Sequence, residues 1–401
     1  MEVKQYINKL IPEITTLRRD FHQHPELGFQ EFRTRDQVKH FLTNTGIPVE
    51  DMAKTGVVGL LEGDRPGRTI LLRADMDALP VTEDTGLPWQ SNEKGVMHAC
   101  GHDGHTAMLL GAAKVLSKLK SRIRGRIKFV FQPNEEDAGA WLMIKEGVME
   151  TPPVDAAFGC HLWSQIDTGT IDIRPGPVMA ASHYFSLTIK GRGGHAGFAH
   201  ESIDPVFVSS AVIQAVQAVQ SREINALNPV VVMFTSAHAG NDSHTIVPDE
   251  MILKGSLRIL YDGGEEDIRN RFERIVEHTC HAHRADFHLE FKVGNHLLSN
   301  DDAMVSLVKT TAMKVLGDQT CVTGTVRTMA GEDFSDFAVR VPAAFAFIGI
   351  RNAAKGIVFP HHHPKFDIDE TMLPIGTELY VRTALAYLAE TCRNQYHLPE
   401  H

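Results

Sequence analysis

The chain has 401 residues, 43% hydrophobic and 22% charged, with a formal net charge of −10 and 22 histidines. That is globular composition with chain enough for two domains, and with no basic run or basic stripe it argues against a nucleic-acid partner. No apolar run approaches the ~20 residues that span a bilayer. The five scattered cysteines (Cys100, Cys160, Cys280, Cys321, Cys392) argue against a disulfide framework. The opening M-E-V-K-Q-Y-I-N lacks the apolar segment of a secretory signal, so a reducing cytoplasm is the expected compartment.

Ile7, Leu10, Ile14, Leu17 and Phe21 fall at helical spacing and predict an opening amphipathic helix. A second helix runs through Phe32, Val38 and Leu42 and stops at Gly46. R-T-I-L-L-R-A-D is a buried strand ending at Asp75; G-H-T-A-M-L-L-G-A-A begins a helix; R-I-K-F-V-F-Q-P is a strand delivering Glu135 and Glu136. G-A-W-L-M-I-K is helical, and A-A-F-G-C-H-L is a strand ending at His161. Alternating strands and helices predict an α/β sheet covered on both faces, with ligands beyond the strand ends. Residues 183–293 read instead as β-α-β-β-α-β, with half-buried alternation in H-Y-F-S-L-T-I-K and D-F-H-L-E-F-K-V. Helix and strand then resume to a closing helix near 374–394. The expected architecture is a discontinuous α/β domain, residues 1–180 and 294–401, interrupted at 181–293 by a ferredoxin-like insertion. Its edge strands suit dimerisation.

Chemistry concentrates in V-M-H-A-C-G-H-D-G-H-T-A-M at 96–108. A helix cap explains Asp103, but not two imidazoles beside Cys100. Thiolate and imidazole together suit zinc or a similar ion. Adjacent carboxylates such as Glu135 and Glu136 point in different directions, so one can bind an ion while the other faces its water. A lone His161 at a strand end reads more simply as a core histidine. Prolines hold His361, His362 and His363 extended, so one imidazole can be aimed. Together these groups converge on strand ends, and no nucleophile elbow, P-loop or dinucleotide fingerprint competes.

The motifs L-L-R-A-D-M-D-A-L-P, M-H-A-C-G-H-D-G-H-T-A, F-Q-P-N-E-E, G-C-H-L, G-R-G-G-H-A-G, G-E-D-F and H-H-P-K-F-D-I-D-E stand in order along the chain, after R-R-D-F-H-Q-H-P-E-L-G-F-Q-E at 18–31. In this the sequence resembles the M20 metallopeptidase family, in its amidohydrolase branch. The resemblance implies a zinc-peptidase-like catalytic domain with an inserted lid that forms a homodimer. It implies two divalent ions per subunit (zinc, manganese, cobalt or nickel), held by Cys100, His102, Glu136, His161 and His362. Glu135 would be the general base, lid His195 would reach the partner subunit's site, and Arg258 would hold a substrate carboxylate. The implied reaction is hydrolysis of N-acyl-amino acids. Two departures bear on the lid and pocket rim: Thr245 stands where asparagine is common, and Asp137 follows Glu136 where glycines are frequent. The alternatives are a dipeptidase or carboxypeptidase on the same scaffold, a non-catalytic metal- or ligand-binding protein, and a structural zinc protein. A structural site would be closed by four ligands, whereas five candidates and a spare glutamate suggest an open one.

Overall fold

A computed structural model describes residues 2–390; Cys392 and residues 391–394 of the expected closing helix lie outside the described residues. Two helices, α1 (Glu2–Gln23) and α2 (Phe32–Asn44), lead into strands β1 (Val49–Met52), β2 (Gly56–Glu62) and β3 (Arg65–Asp75). There follow α3 (His102–Lys118), β4 (Arg124–Gln132), α4 (Ala140–Lys145) and β5 (Ala156–Asp167). Val3, Ile7, Ile14 and Phe21 bury one face of α1, and Arg18 and His22 are buried with them. The described chain divides into two compact units, residues 2–176, 299–326 and 333–390, and residues 177–298 and 327–332.

The first unit is built on one mixed sheet, ordered β1-β2-β4-β3-β5 and continued by Ala343–Arg351 and the short strands Ile171–Asp172 and Val322–Thr323. β3 lies parallel between β4 and β5, and Ala343–Arg351 runs parallel to β5. Thr69 through Asp75 are all buried. Such unbroken burial means that both faces of the sheet are covered. Ile70, Leu72, Phe129 and Phe158 share one core with Leu109, Leu110 and Leu116 of α3.

Register brings the polar strand ends to one level. Arg73 pairs with Val130 on β4 and Gly159 on β5, so Asp75, Gln132 and His161 emerge together. His161 does not end its strand, contrary to expectation. β5 continues to Asp167 because Phe347, Ile348 and Gly349 go on pairing with His161, Leu162 and Trp163.

The second unit has strands Ala181–Lys190, Val230–Ala239, Glu250–Ile259 and Asp286–Val293 with helices Pro205–Ala215 and Gly264–Ala282. The order along the sheet is 230–239, 250–259, 181–190, 286–293, all antiparallel. This is the ferredoxin-like β-α-β-β-α-β arrangement, packed around Phe185, Leu187, Leu253, Phe272 and Val276. The units part at 176 and 298 rather than at 180 and 293, and residues 327–332 return to the second unit. There Thr328 N–H donates to Val178 O (3.0 Å) and Ala180 N–H to Ala330 O (2.9 Å). Among the described residues, no helix is long and apolar enough to cross a membrane.

Candidate metal centre

The Cys-Gly-His turn works because Gly101 takes φ 91°, a left-handed value that only glycine adopts without strain. Helix α3 therefore starts at His102, two residues ahead of the expected start. A methyl group at Gly104 would lie 2.5 Å from Leu162 Cδ1, so this glycine lets α3 sit against β5. His102 Nδ1 lies 2.9 Å from Asp77 O and 3.2 Å from Asp77 Oδ1. That holds its ring so that Nε2 faces the cluster. The other oxygen of Asp77 accepts the Glu136 N–H at 3.1 Å. One carboxylate thus orients two candidate ligands, as partners behind metal ligands commonly do.

Three imidazoles grip the peptide groups of Leu162. His161 Nδ1 donates to Leu162 O at 2.8 Å and His361 Nε2 donates to the same oxygen at 2.9 Å. Leu162 N–H donates to His105 Nε2 at 2.9 Å, while His105 Nδ1 donates to Asp75 Oδ1 at 2.6 Å. These bonds leave His161 Nε2 as its outward atom. Burial and the neighbouring His105 and His361 hold His161 well below the usual imidazole range, in the neutral form that coordinates metal. Burial likewise keeps His361 down to about 4. Arg73 supports the floor, donating to Asp75 (2.7 Å), Gln132 (2.8 Å) and Asp333 (2.8 Å).

The expected ligands come together. Cys100 Sγ lies 3.5 Å from His161 Nε2, and His362 Nε2 lies 3.3 Å from Glu136 Oε1. Donor atoms fall within 4.8 Å of one another in the sets Cys100–His102–His161, Cys100–Glu136–His362 and His102–Glu135–Glu136. Cys100 belongs to two of these sets and Glu136 to two. His362 reaches the cluster from a left-handed backbone, φ 65°, its N–H bonded to Ala99 O at 2.8 Å. Left-handed non-glycine residues concentrate at functional sites.

The donors fit divalent cations. The set mixes thiolate, imidazole and carboxylate. His102 Nε2 and Glu136 Oε1 are buried without a hydrogen-bond partner of ordinary geometry, a costly state for polar atoms with no further purpose. The local potential favours positive charge: contacts with Cys100 and Glu136 push His362 up to about 10. Burial pushes the Cys100 thiol up, and the nearby Glu136 charge adds to it; a bound cation would reverse this.

Glu135 is 9% exposed and its Oε2 lies 4.0 Å from His102 Nε2. His195 and Arg258 belong to the second unit. His195 is exposed in a short ladder with Ile246, and its Nδ1 accepts the Gly197 N–H at 3.0 Å. Thr245 accepts the Ala196 N–H at 2.9 Å, so the residue that departs from the family pattern adjoins His195. Arg258 sits in Glu250–Ile259 with its guanidinium 5.9 Å from the Tyr184 ring centroid.

Asp103 is not a helix cap, because α3 already begins at His102. It sits buried in the first turn, where Arg18 Nε (2.8 Å) and His22 Nδ1 (2.7 Å) meet its Oδ2. Sequence reasoning missed this anchor. Its signal was two ionisable residues, four apart, on the apolar stripe of α1. It also left His361 unassigned, because three consecutive histidines look alike until the strand beside them is placed.

Comparisons with known proteins agree with this geometry. The model of Peptidase family M20/M25/M40 matches residues 71–386. The chain is 37% identical over 391 residues to thermostable carboxypeptidase 1 of Saccharolobus solfataricus, covering 96% of this chain and 98% of that one. It is 40% identical over 304 residues to an N-acyl-L-amino acid amidohydrolase of Geobacillus stearothermophilus, covering 75% and 81%. A Bacillus subtilis crystal structure described as a dinuclear metal binding peptidase superposes with TM-score 0.84 at 30% identity, covering 95% and 99%. With the motifs in order, the donors gathered and the match running through most of the chain, this protein belongs to peptidase family M20/M25/M40.

Proposed function

We propose that the protein is a metal-dependent amidohydrolase that cleaves N-acyl-amino acids to a carboxylic acid and a free amino acid. The observation that carries this reading is the convergence of Cys100, His102, Glu136, His161 and His362 with Glu135 beside them. The similarity to the Geobacillus amidohydrolase supports the substrate class. These five residues would hold two divalent ions, with zinc, manganese, cobalt and nickel all compatible with the donor set. When bound, such ions supply Lewis acidity for the scissile carbonyl and lower the pKa of water from about 15.7 to about 7.

The chain's own groups do the rest. Glu135 accepts a proton from the attacking water as its oxygen bonds to the carbonyl carbon. It then delivers that proton to the amine nitrogen as the C–N bond breaks. His195, from the lid of a partner subunit in a homodimer, steadies the developing oxyanion. Arg258 holds the substrate carboxylate. The edge strands Val230–Ala239 and Asp286–Val293 of the second unit support dimerisation through the lid.

A positioned general base contributes ~10²–10⁴-fold. Glu135→Gln should therefore lower turnover by that much with bound metal unchanged, and full activity in the variant sinks the assignment. The carboxypeptidase relative favours a second reading, peptide cleavage at a free carboxyl end. Assay of N-acetyl-, N-benzoyl- and indole-acetyl-amino acids against dipeptides and blocked peptides separates the two.

A further inference from the structure

The stretch 18–31 has so far no part in the chemistry beyond Arg18 and His22. Its last residue, Glu31, is fully buried (0% exposed) and is not among the candidate ligands. One of its oxygens accepts the Asn134 N–H at 2.9 Å, and the other accepts the Thr55 hydroxyl. Asn134 is the residue immediately before Glu135.

The turn that carries Glu135 is a strained piece of backbone. Asn134 and Ala138 both take left-handed φ, 55° and 56°, on either side of the short helical turn Glu135–Asp137. Asparagine tolerates this conformation, but alanine does so only when its surroundings enforce it. The surroundings are visible. Gly139 N–H closes on Asn134 O at 2.7 Å, and Asn134 Nδ2 on Asp137 O at 3.2 Å. Glu136 N–H is held by Asp77. Gly28 lies so close that a methyl group there would fall 1.8 Å from Asn134 Oδ1. At the entry to the turn, the Asn134 N–H has Glu31 as its acceptor. Without that oxygen a buried donor loses its partner, and the turn can relax toward the ordinary right-handed region.

We infer that Glu31 is a positioning residue for the reaction: through the Asn134 N–H it holds the left-handed turn that aims the Glu135 carboxylate at the attacking water. The inference rests on the general-base reading of Glu135. Burial pushes Glu31 up to about 7, so near neutrality the acid form is well populated. Glutamine mimics that form, with one oxygen for Asn134 N–H and one N–H for the Thr55 oxygen.

The test uses full-length, metal-loaded enzyme and measures kcat, KM, bound metal and Tm for Glu31→Ala, Glu31→Gln, Glu31→Met and Glu135→Gln. A displacement of the base by about 1 Å can cost roughly 10²-fold. Glu31→Ala should lose about 10- to 100-fold in kcat, with KM and metal content unchanged. Glu31→Gln should recover most of the loss because it keeps an acceptor for the Asn134 N–H, whereas Glu31→Met, which fills a similar volume without an acceptor, should not. If Glu31→Ala does not fold, Thr55→Val decides. It removes only the hydroxyl that anchors the carboxyl, and it should lower kcat by a smaller factor in the same direction. Wild-type kcat in folded Glu31→Ala or in Thr55→Val, a kcat loss matched by metal loss, or failure of Glu31→Gln to rescue overturns the inference. If Glu135→Gln is inactive while Glu31→Ala is fully active, only the positioning role falls. If Glu135→Gln is fully active, both fall.

Discussion

The two units bury their strands in opposite styles. In β3 of the first unit, Thr69 through Asp75 disappear from solvent without a break, whereas Asp286–Val293 of the second alternates between exposed and half-buried positions. A strand covered on both faces has no side-chain outlet except at its ends. Its polar groups therefore gather where the sheet stops, and there Asp75, Gln132 and His161 stand level. An antiparallel sheet with alternating burial can carry polar groups along its whole length; Arg258 sits in such a strand, and His195 lies in a separate, exposed two-residue ladder. The first unit is thus the place for a fixed cluster of ligands at the strand ends. The second is suited to contacts made from a more exposed surface.

This contrast can be broken by experiment. The largest expected effect is from Cys100→Ala, which removes a donor shared by two ligand sets. Bound metal and hydrolysis should disappear together, as elemental analysis and assay of the same preparation would reveal; a variant that keeps both removes Cys100 from the centre. His195→Ala should lower kcat by ~10²–10³-fold, the usual cost of losing one oxyanion donor, while metal content stays at the wild-type level. If metal is lost from this variant too, the division of labour between the units is wrong.

The smallest effect concerns acid stability of the second unit. Although burial works the other way, hydrogen bonds from His183, His296 and Leu297 N–H hold the Glu265 carboxyl well below the usual carboxylate range. A depressed folded-state pKa contributes stability above the unfolded value of about 4.3. That contribution is lost as the pH falls through the folded value. Glu265→Gln should therefore lower Tm modestly at pH 7 and flatten its decline below about pH 4, so that the two curves converge in acid. Parallel Tm–pH curves for variant and wild type would show that Glu265 makes no such contribution.

Much of this was legible in order along the chain. Hydrophobic period separated the continuous strands of the first unit from the alternating strands of the second. The motif order pointed to Cys100, His102, Glu135, Glu136, His161 and His362 before any coordinate was known. What misled was local: Asp103 read as a cap because an acid near a helix start usually is one. His161 read as a strand end because the pairing of Ala343–Arg351 cannot be seen from β5 alone.

The sequence by itself determined which residue types were available and which segments were buried, because periodicity and composition are local properties of the chain. Only the tertiary structure decided the partners: Arg18 and His22 for Asp103, three imidazoles for the Leu162 peptide, Glu31 for the turn before Glu135. Apart from His161 beside Leu162, those pairs are separated by tens to hundreds of residues. Their formation depends on strand register and helix docking, which place donors and acceptors to within a fraction of an ångström and leave no trace in sequence spacing.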